Sequence, residues 1–196
     1  MPYLYPEKTP LSNPGQKTYW GSLYGSADAL ALVEYAQQQS QVILLIANDI
    51  AHLDILYKSL NFYNDTLDIL KFDNWEVLPY DQFSPHPDIT SNRLSTLSKL
   101  KQLKKGIVVT TLETLFSYLC PIEFSEKFSF DLKIGNDINP ALLSEKLLKI
   151  GYNRVTTVME HGEFNIRGSL IDLYPMGANK PYRIDLFDQE IETIRS

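Results

Sequence analysis

The three histidines and the single cysteine of this 196-residue chain are the side chains best suited to acid–base, nucleophilic or metal chemistry. His161 stands beside Glu160 and Glu163, and a carboxylate next to an imidazole is the pairing that general acid–base catalysis exploits, because the negative charge tunes the ring. The same residues also make a polar turn between two strands with Gly162 at its tip, and that is the reading the local pattern favours. His86, between Pro85 and Pro87, reads as a loop packing residue. With His52 far from both, and no second thiol to join Cys120, the spacing of a metal site is missing. Cys120 lies between Leu119 and Pro121 without a basic neighbour or helix N-terminus to favour its thiolate, so a buried structural thiol is expected. A lone cysteine forms no internal disulfide and fits a reducing compartment, which makes the cytoplasm the expected location.

Phosphate chemistry is the next possibility. The segment Gly21-Ser22-Leu23-Tyr24-Gly25-Ser26-Ala27-Asp28 lies where a nucleotide-binding α/β domain carries its phosphate loop. A working loop needs glycine N–H groups facing phosphate, a lysine on the β and γ phosphates and a Ser or Thr on Mg²⁺. If Gly25 opens the loop, the last three positions of G-x-x-x-x-G-K-[ST] fall on Leu30, Ala31 and Leu32. Asp28 would moreover repel an incoming phosphate from the first helical turn. No bound ATP, other cofactor or metal is expected.

Recognition of a protein is better supported. In Arg183-Ile184-Asp185-Leu186-Phe187 the two-residue period of a strand puts Ile184 and Leu186 on one face and Arg183, Asp185 and Phe187 on the other. A large aromatic beside an arginine is the combination enriched at the energetic centres of protein interfaces. Arg167-Gly168 precedes Ser169-Leu170-Ile171-Asp172-Leu173. Two readings of it stay open: a solvated arginine at a strand start with the glycine allowing a bulge, or a partner of Arg183 and Phe187 if a hairpin through Met176–Lys180 folds the two strands together. Whether Asp185 meets a partner or only steadies Arg183 is also open.

The elements that must hold these residues follow from periodicity. The proline-rich lead-in to Lys17 is irregular. A helix capped by Ser26 follows, with Ala29, Leu30, Leu32, Val33 and Ala36 as its apolar face. Val42–Ala47 is a continuous apolar run of the kind buried on both sides in a parallel sheet. Asn48 is expected to cap a helix bearing Leu53, Leu56, Tyr57 and Leu60. Asp68–Phe72 reads as a strand, the aromatic and proline-rich stretch from Trp75 to Arg93 as a loop, and Leu94, Leu97, Leu100 and Leu103 as a helix ended by lysines and Gly106. Ile107–Thr110 is another buried strand, with a short helix bearing Leu112, Leu115, Phe116 and Leu119 behind it. This alternation predicts an α/β domain over residues 1–126 with a largely parallel sheet. From residue 127 a small α+β domain is expected: a half-buried strand at Phe130–Ile134, a helix started by Asn139-Pro140 that buries Leu142, Leu143, Leu147 and Ile150, then strands only. Ser196 follows Ile194 without a stop signal, so a longer parent chain is expected.

Composition narrows the partners. With 44% hydrophobic and 21% charged residues the chain is globular. A net charge of −6 argues against a duplex-binding surface over the whole domain. Lys99, Lys101, Lys104 and Lys105 could form a basic patch, but cations are ordinary at a helix C-terminus. The N-terminus lacks a signal-peptide pattern, and no apolar run approaches the roughly 20 residues that span a bilayer.

Three segments, WEVLPYDQFSPHPDITSNRLSTL, VMEHGEFNIRGSLIDLYPMG and PYRIDLFDQEIETIR, closely resemble the amino-terminal region of the bacterial transcription-repair coupling factors, the Mfd family. The resemblance is collinear from about Gly25 to Ser196. That region is itself similar to the damage-recognition protein UvrB, whose R-G-x-x-I-D-I-F-P and L-F-D-E-E segments look like residues 167–175 and 186–190. The resemblance implies a degenerate motor-type domain, RecA-like or P-loop-like, followed by a small domain that docks on UvrA. It carries the UvrA contacts onto Arg167, Arg183 and Phe187, and implies a non-catalytic adaptor. The resemblance further implies that ATP- and Mg-dependent translocation on duplex DNA and the RNA polymerase contacts belong to other domains of a longer chain, and that a carboxy-terminal domain there masks the UvrA-binding face until the motor engages. The lost loop lysine, at Ala31, sets the chain apart from UvrB. An ATP-binding, UvrB-like helicase or damage-recognition domain is the alternative.

Overall fold

A computed structural model describes Gly15 and residues 17–78, 80–119, 121, 123 and 129–196. Cys120, the proline-rich lead-in apart from Gly15 and Lys17, and the boundary expected at residues 126/127 lie outside the described residues. The chain divides into two compact units, one of Met1–Asn74 with Lys99–Ser117 and one of Trp75–Ser98 with Tyr118–Ser196.

The first unit holds α1 (Ala27–Gln38), β1 (Val42–Ala47), α2 (Ile50–Tyr63), β2 (Asp68–Lys71), β3 (Gly106–Thr111) and α4 (Leu112–Leu115). The helix α3 (Pro87–Gln102) precedes β3 in the chain and crosses the border between units at Ser98. The strands are all parallel, in the order β1-β3-β2. Register aligns Ile43 with Ile107 and Leu45 with Val109, and these residues meet Leu53, Leu56 and Leu60 of α2 in one apolar core. The parallel α/β expectation holds.

Several local expectations need correction. β1 is not covered on both sides: Leu44 and Ile46 are 52% and 46% exposed, because β1 is a sheet edge and the core lies on the other face. The cap of α2 is Asp49, whose carboxylate accepts from the His52 N–H at 2.7 Å, rather than Asn48. Ser26 precedes α1 but caps nothing with its side chain, since its hydroxyl bonds the Tyr63 phenol at 2.8 Å. The stretch expected as a loop already turns helical at Pro87, and α3 buries Ser91, Arg93 and Thr96 while Leu100 is exposed. Leu112, Leu115, Phe116 and Leu119 are exposed too, and α4 buries Thr114.

The second unit centres on a five-stranded sheet, β4 (Asn153–Arg154), β5 (Glu163–Arg167), β6 (Leu170–Leu173), β7 (Tyr182–Phe187) and β8 (Glu190–Arg195), side by side in that order. β4 runs parallel to β5 and the remaining pairs are antiparallel. α5 (Pro140–Lys149) starts where expected: the Asn139 side chain accepts from Ala141 and Leu142 N–H groups, and Pro140 opens the helix. Leu143 and Leu147 of α5 pack with Phe164, Ile171, Leu173, Ile184, Leu186 and Ile191 in a second core, while Leu142 is exposed. Phe130–Ile134 forms no strand, although Phe130 and Leu132 pack against that core. Its neighbour Asn136 bonds the edge of β8 instead, accepting from Ile191 N–H at 2.9 Å.

Candidate functional site

The outer face of the second sheet is built by alternation and register. Because Ile171, Leu173, Ile184 and Leu186 are drawn into the core, the residues between them point outward. β5 and β6 are joined through Gly168 and Ser169 alone, with Arg167 opposite Leu170 and Gly168 at φ +61°. Gly168 thus supplies the left-handed residue of a hairpin turn. It makes no bulge, and Arg167 ends a strand instead of starting one. The hairpin through Met176–Lys180 folds as expected and sets Asp172 directly opposite Arg183.

Asp172 is the residue that joins the face together. Its carboxylate accepts from Arg183 through Nε at 2.6 Å and a terminal nitrogen at 2.9 Å, and from Arg167 at 3.3 Å. The hydrogen bonds from Arg183 hold the Asp172 carboxyl below the usual aspartate range against the opposing effect of burial, and the Arg167 charge adds to this. The Arg183 guanidinium is correspondingly raised by Asp172. Asp185 does not hold Arg183: it pairs with Arg195 and accepts from the Thr193 hydroxyl at 2.7 Å. Its Oδ1 is buried and meets no donor among the described residues. Phe187 stands at the end of β7, 75% exposed.

A bulge between β7 and β8 completes the face. Leu186 pairs with Ile191 but Asp185 with Thr193, so one residue of β8 is extra. That irregularity lets Ile191 and Ile194, three apart, both turn to the core while Thr193 and Arg195 turn outward. Alternation in the sequence brings Arg183, Asp185 and Phe187 to one face, and the structure adds Arg167. Asp172 and Arg195 were missed. The signal for Arg195 was present in the odd spacing of the isoleucines; that for Asp172 needed the length of the turn.

Among the described residues, the histidines singled out in the sequence take structural contacts. His161 donates from Nε2 to the Ala178 carbonyl at 2.8 Å, has Nδ1 2.7 Å from Asp88, and lies against the Tyr174 ring. Both ring nitrogens are taken, so His161 fastens a turn to the start of α3 instead of serving as a base. Glu163, its neighbour in sequence, accepts from the Met159 and Glu160 N–H groups. His86 is exposed, with Asp88 N–H pointing to its Nδ1 at 3.3 Å, and is no packing residue. Among the described residues no three His, Cys, Asp or Glu side chains come together as a metal site, and no helix is long and apolar enough to cross a membrane.

In the first unit, Asp28 accepts from Ala29 N–H at 2.7 Å at the start of α1, occupying a donor that a phosphate loop would offer. A shallow depression of about 360 Å³ lies at the ends of β1 and β3, where α/β sheets hold ligands. Its rim carries Asp49 and Glu113, the wrong charge for phosphate. Lys71 is held between Asp54 and Asp73 at 2.8 Å each.

The family model described as the UvrB interaction domain matches residues 130–196, which hold α5 and the mixed sheet of the second unit. Over its whole length the chain resembles a stretch of the transcription-repair-coupling factors. It is 37% identical to that of Escherichia coli K12 over 195 residues, covering all of the chain and 17% of the relative. To that of Haemophilus influenzae it is 37% identical over 94% of the chain and 16% of the relative. To that of Staphylococcus aureus USA300 it is 34% identical over 87% of the chain and 14% of the relative. The chain thus spans about a sixth of the length of these relatives.

Proposed function

We propose that the second unit is a docking module for UvrA, and that Arg167, Arg183 and Phe187 are its principal contacts. The observation that carries this reading is the placement of two arginines around one carboxylate on the same sheet face as an exposed phenylalanine. Arginine and aromatic side chains supply most interface energy when a partner covers them. The face sets Arg167, Arg183 and Arg195 over Asp172 and Asp185, with Glu190 opposite Phe187, and its arginines stand further into solvent than the aspartates they pair with. It suits a partner surface that offers carboxylates around an apolar pocket. In this reading the chain is a non-catalytic, cytoplasmic adaptor that recruits UvrA in transcription-coupled excision repair. ATP-driven translocation and contacts with RNA polymerase and duplex DNA then belong to other parts of a coupling factor. The first unit serves as a scaffold without nucleotide, a view supported by Ala31 at the lysine position and by the carboxylates Asp28, Asp49 and Glu113 where phosphate would approach.

Binding of purified UvrA tests the assignment. Arg167→Ala, Arg183→Ala and Phe187→Ala should each cost about 2 kcal/mol or more, roughly a thirtyfold weaker Kd, with the circular dichroism spectrum unchanged. A triple variant that binds as wild type would refute it. Titration calorimetry with Mg-ATP separates the adaptor from an ATP-binding, UvrB-like domain: no binding heat is expected, and a micromolar Kd would favour the enzyme.

A further inference from the structure

We infer that Asp172 is the positioning residue of the docking face, holding Arg167 and Arg183 as one preorganised pair aimed at carboxylates of the partner; this rests on the docking reading above. An isolated surface arginine samples many rotamers, and ordering it on binding opposes association. Here Arg183 is already held by two parallel hydrogen bonds from Nε and a terminal nitrogen, the fork geometry that fixes both the plane and the direction of a guanidinium. Arg167 reaches the same carboxylate from the other flanking strand. The aspartate side chain is only 16% exposed, whereas those of the two arginines are 51% and 62% exposed. The carboxylate therefore lies beneath the cations, and the partner meets guanidinium edges. Each guanidinium has five N–H donors, and Asp172 engages two of Arg183's nitrogens and one of Arg167's, so donors remain for acceptor oxygens of the partner.

The placement has a consequence of definite sign. Asp172 is an acid on a face suited to acidic partners, so charge alone predicts that its removal tightens binding. Positioning predicts the reverse. With UvrA as the probe, Asp172→Ala and Asp172→Asn should weaken Kd at least tenfold, chiefly through faster dissociation, while Asp172→Glu recovers part of the loss. In an Arg167→Ala/Arg183→Ala background Asp172→Ala should have no further effect, because the groups it orients are gone. Amide exchange in β5 to β7 serves as the control for an intact sheet. Binding unchanged or tighter in Asp172→Ala, with Arg183→Ala still defective, overturns the inference and leaves the docking reading standing. An equal loss in the double-arginine background overturns it too, since Asp172 would then act independently of them. If Arg183→Ala binds UvrA as wild type, the docking reading falls and the inference with it.

Discussion

The two sheets of this molecule use their outward faces in opposite ways. In the first unit, three parallel strands bury one face under α1 and α2, and the edge strand β1 shows Leu44 and Ile46 on the other. Where that fold could hold a ligand, the polar groups are turned on one another: Asp28 on Ala29 N–H, Asp49 on His52 N–H, Lys71 between two aspartates. In the second unit one face is a core and the other a lattice of cross-strand charge pairs ending in an exposed phenylalanine. Hydrogen-bond capacity is closed off in the first and left partly open in the second. A recognition site is read from what remains free after the fold has used what it needs.

Substitutions can break this contrast, beginning with the cores. Phe164, fully buried beneath the candidate face, should cost about 3–5 kcal/mol when replaced by alanine, whereas Leu44→Ala in the first unit should stay within about 0.5 kcal/mol. Native-state amide exchange, which resolves stability region by region, checks both, and a large loss for Leu44→Ala would mean that its face is covered. Helix caps provide a smaller test. Asn139→Ala should lower the stability of the second unit by about 1 kcal/mol, while Ser26→Ala loses only its bond to Tyr63, since Ser26 provides no side-chain cap. Equal penalties in urea denaturation would contradict the assigned caps. The smallest effect is that of pH. The folded-state pKa of Asp172 is depressed, so its pairing stabilises the protein above the ordinary aspartate value and is lost as pH falls through the folded one. The stability gap between wild type and Asp172→Asn should be about 1 kcal/mol or less at pH 7, given solvent screening of the arginines, and should narrow below about pH 4. A gap unchanged at pH 3 would show that the carboxylate's charge is not what matters.

Periodicity was enough for the order of strands and helices in the first unit, because burial selects apolar residues at fixed spacing, but it also read a strand at Phe130–Ile134 where none forms. It could not tell a covered strand from an edge: Val42–Ala47 reads the same whether or not anything lies over Leu44. Nor could it choose between the adjacent cap formers Asn48 and Asp49, or see that α3 would bury Arg93 in preference to Leu100. On the candidate face, Arg183 and Phe187 were legible because two positions on one strand need only the strand's own period. Asp172 was not, since opposing it to Arg183 requires the register across the loop from Tyr174 to Pro181. Resemblance named Arg167; geometry explained its company.

The connection between β5 and β6 has no slack. Gly168 and Ser169 span it, and Leu186 N–H bonds the Ser169 backbone carbonyl, leaving the Ser169 side chain unneeded by that contact. One added residue would have to bulge out or slide β5 along β6, and a slide of one position turns Arg167 toward the side of Phe164. The face is therefore specified by residue count as well as by chemistry: a substitution at Ser169 leaves the register as it is, while one residue inserted or deleted there would part the two cations from their shared anion.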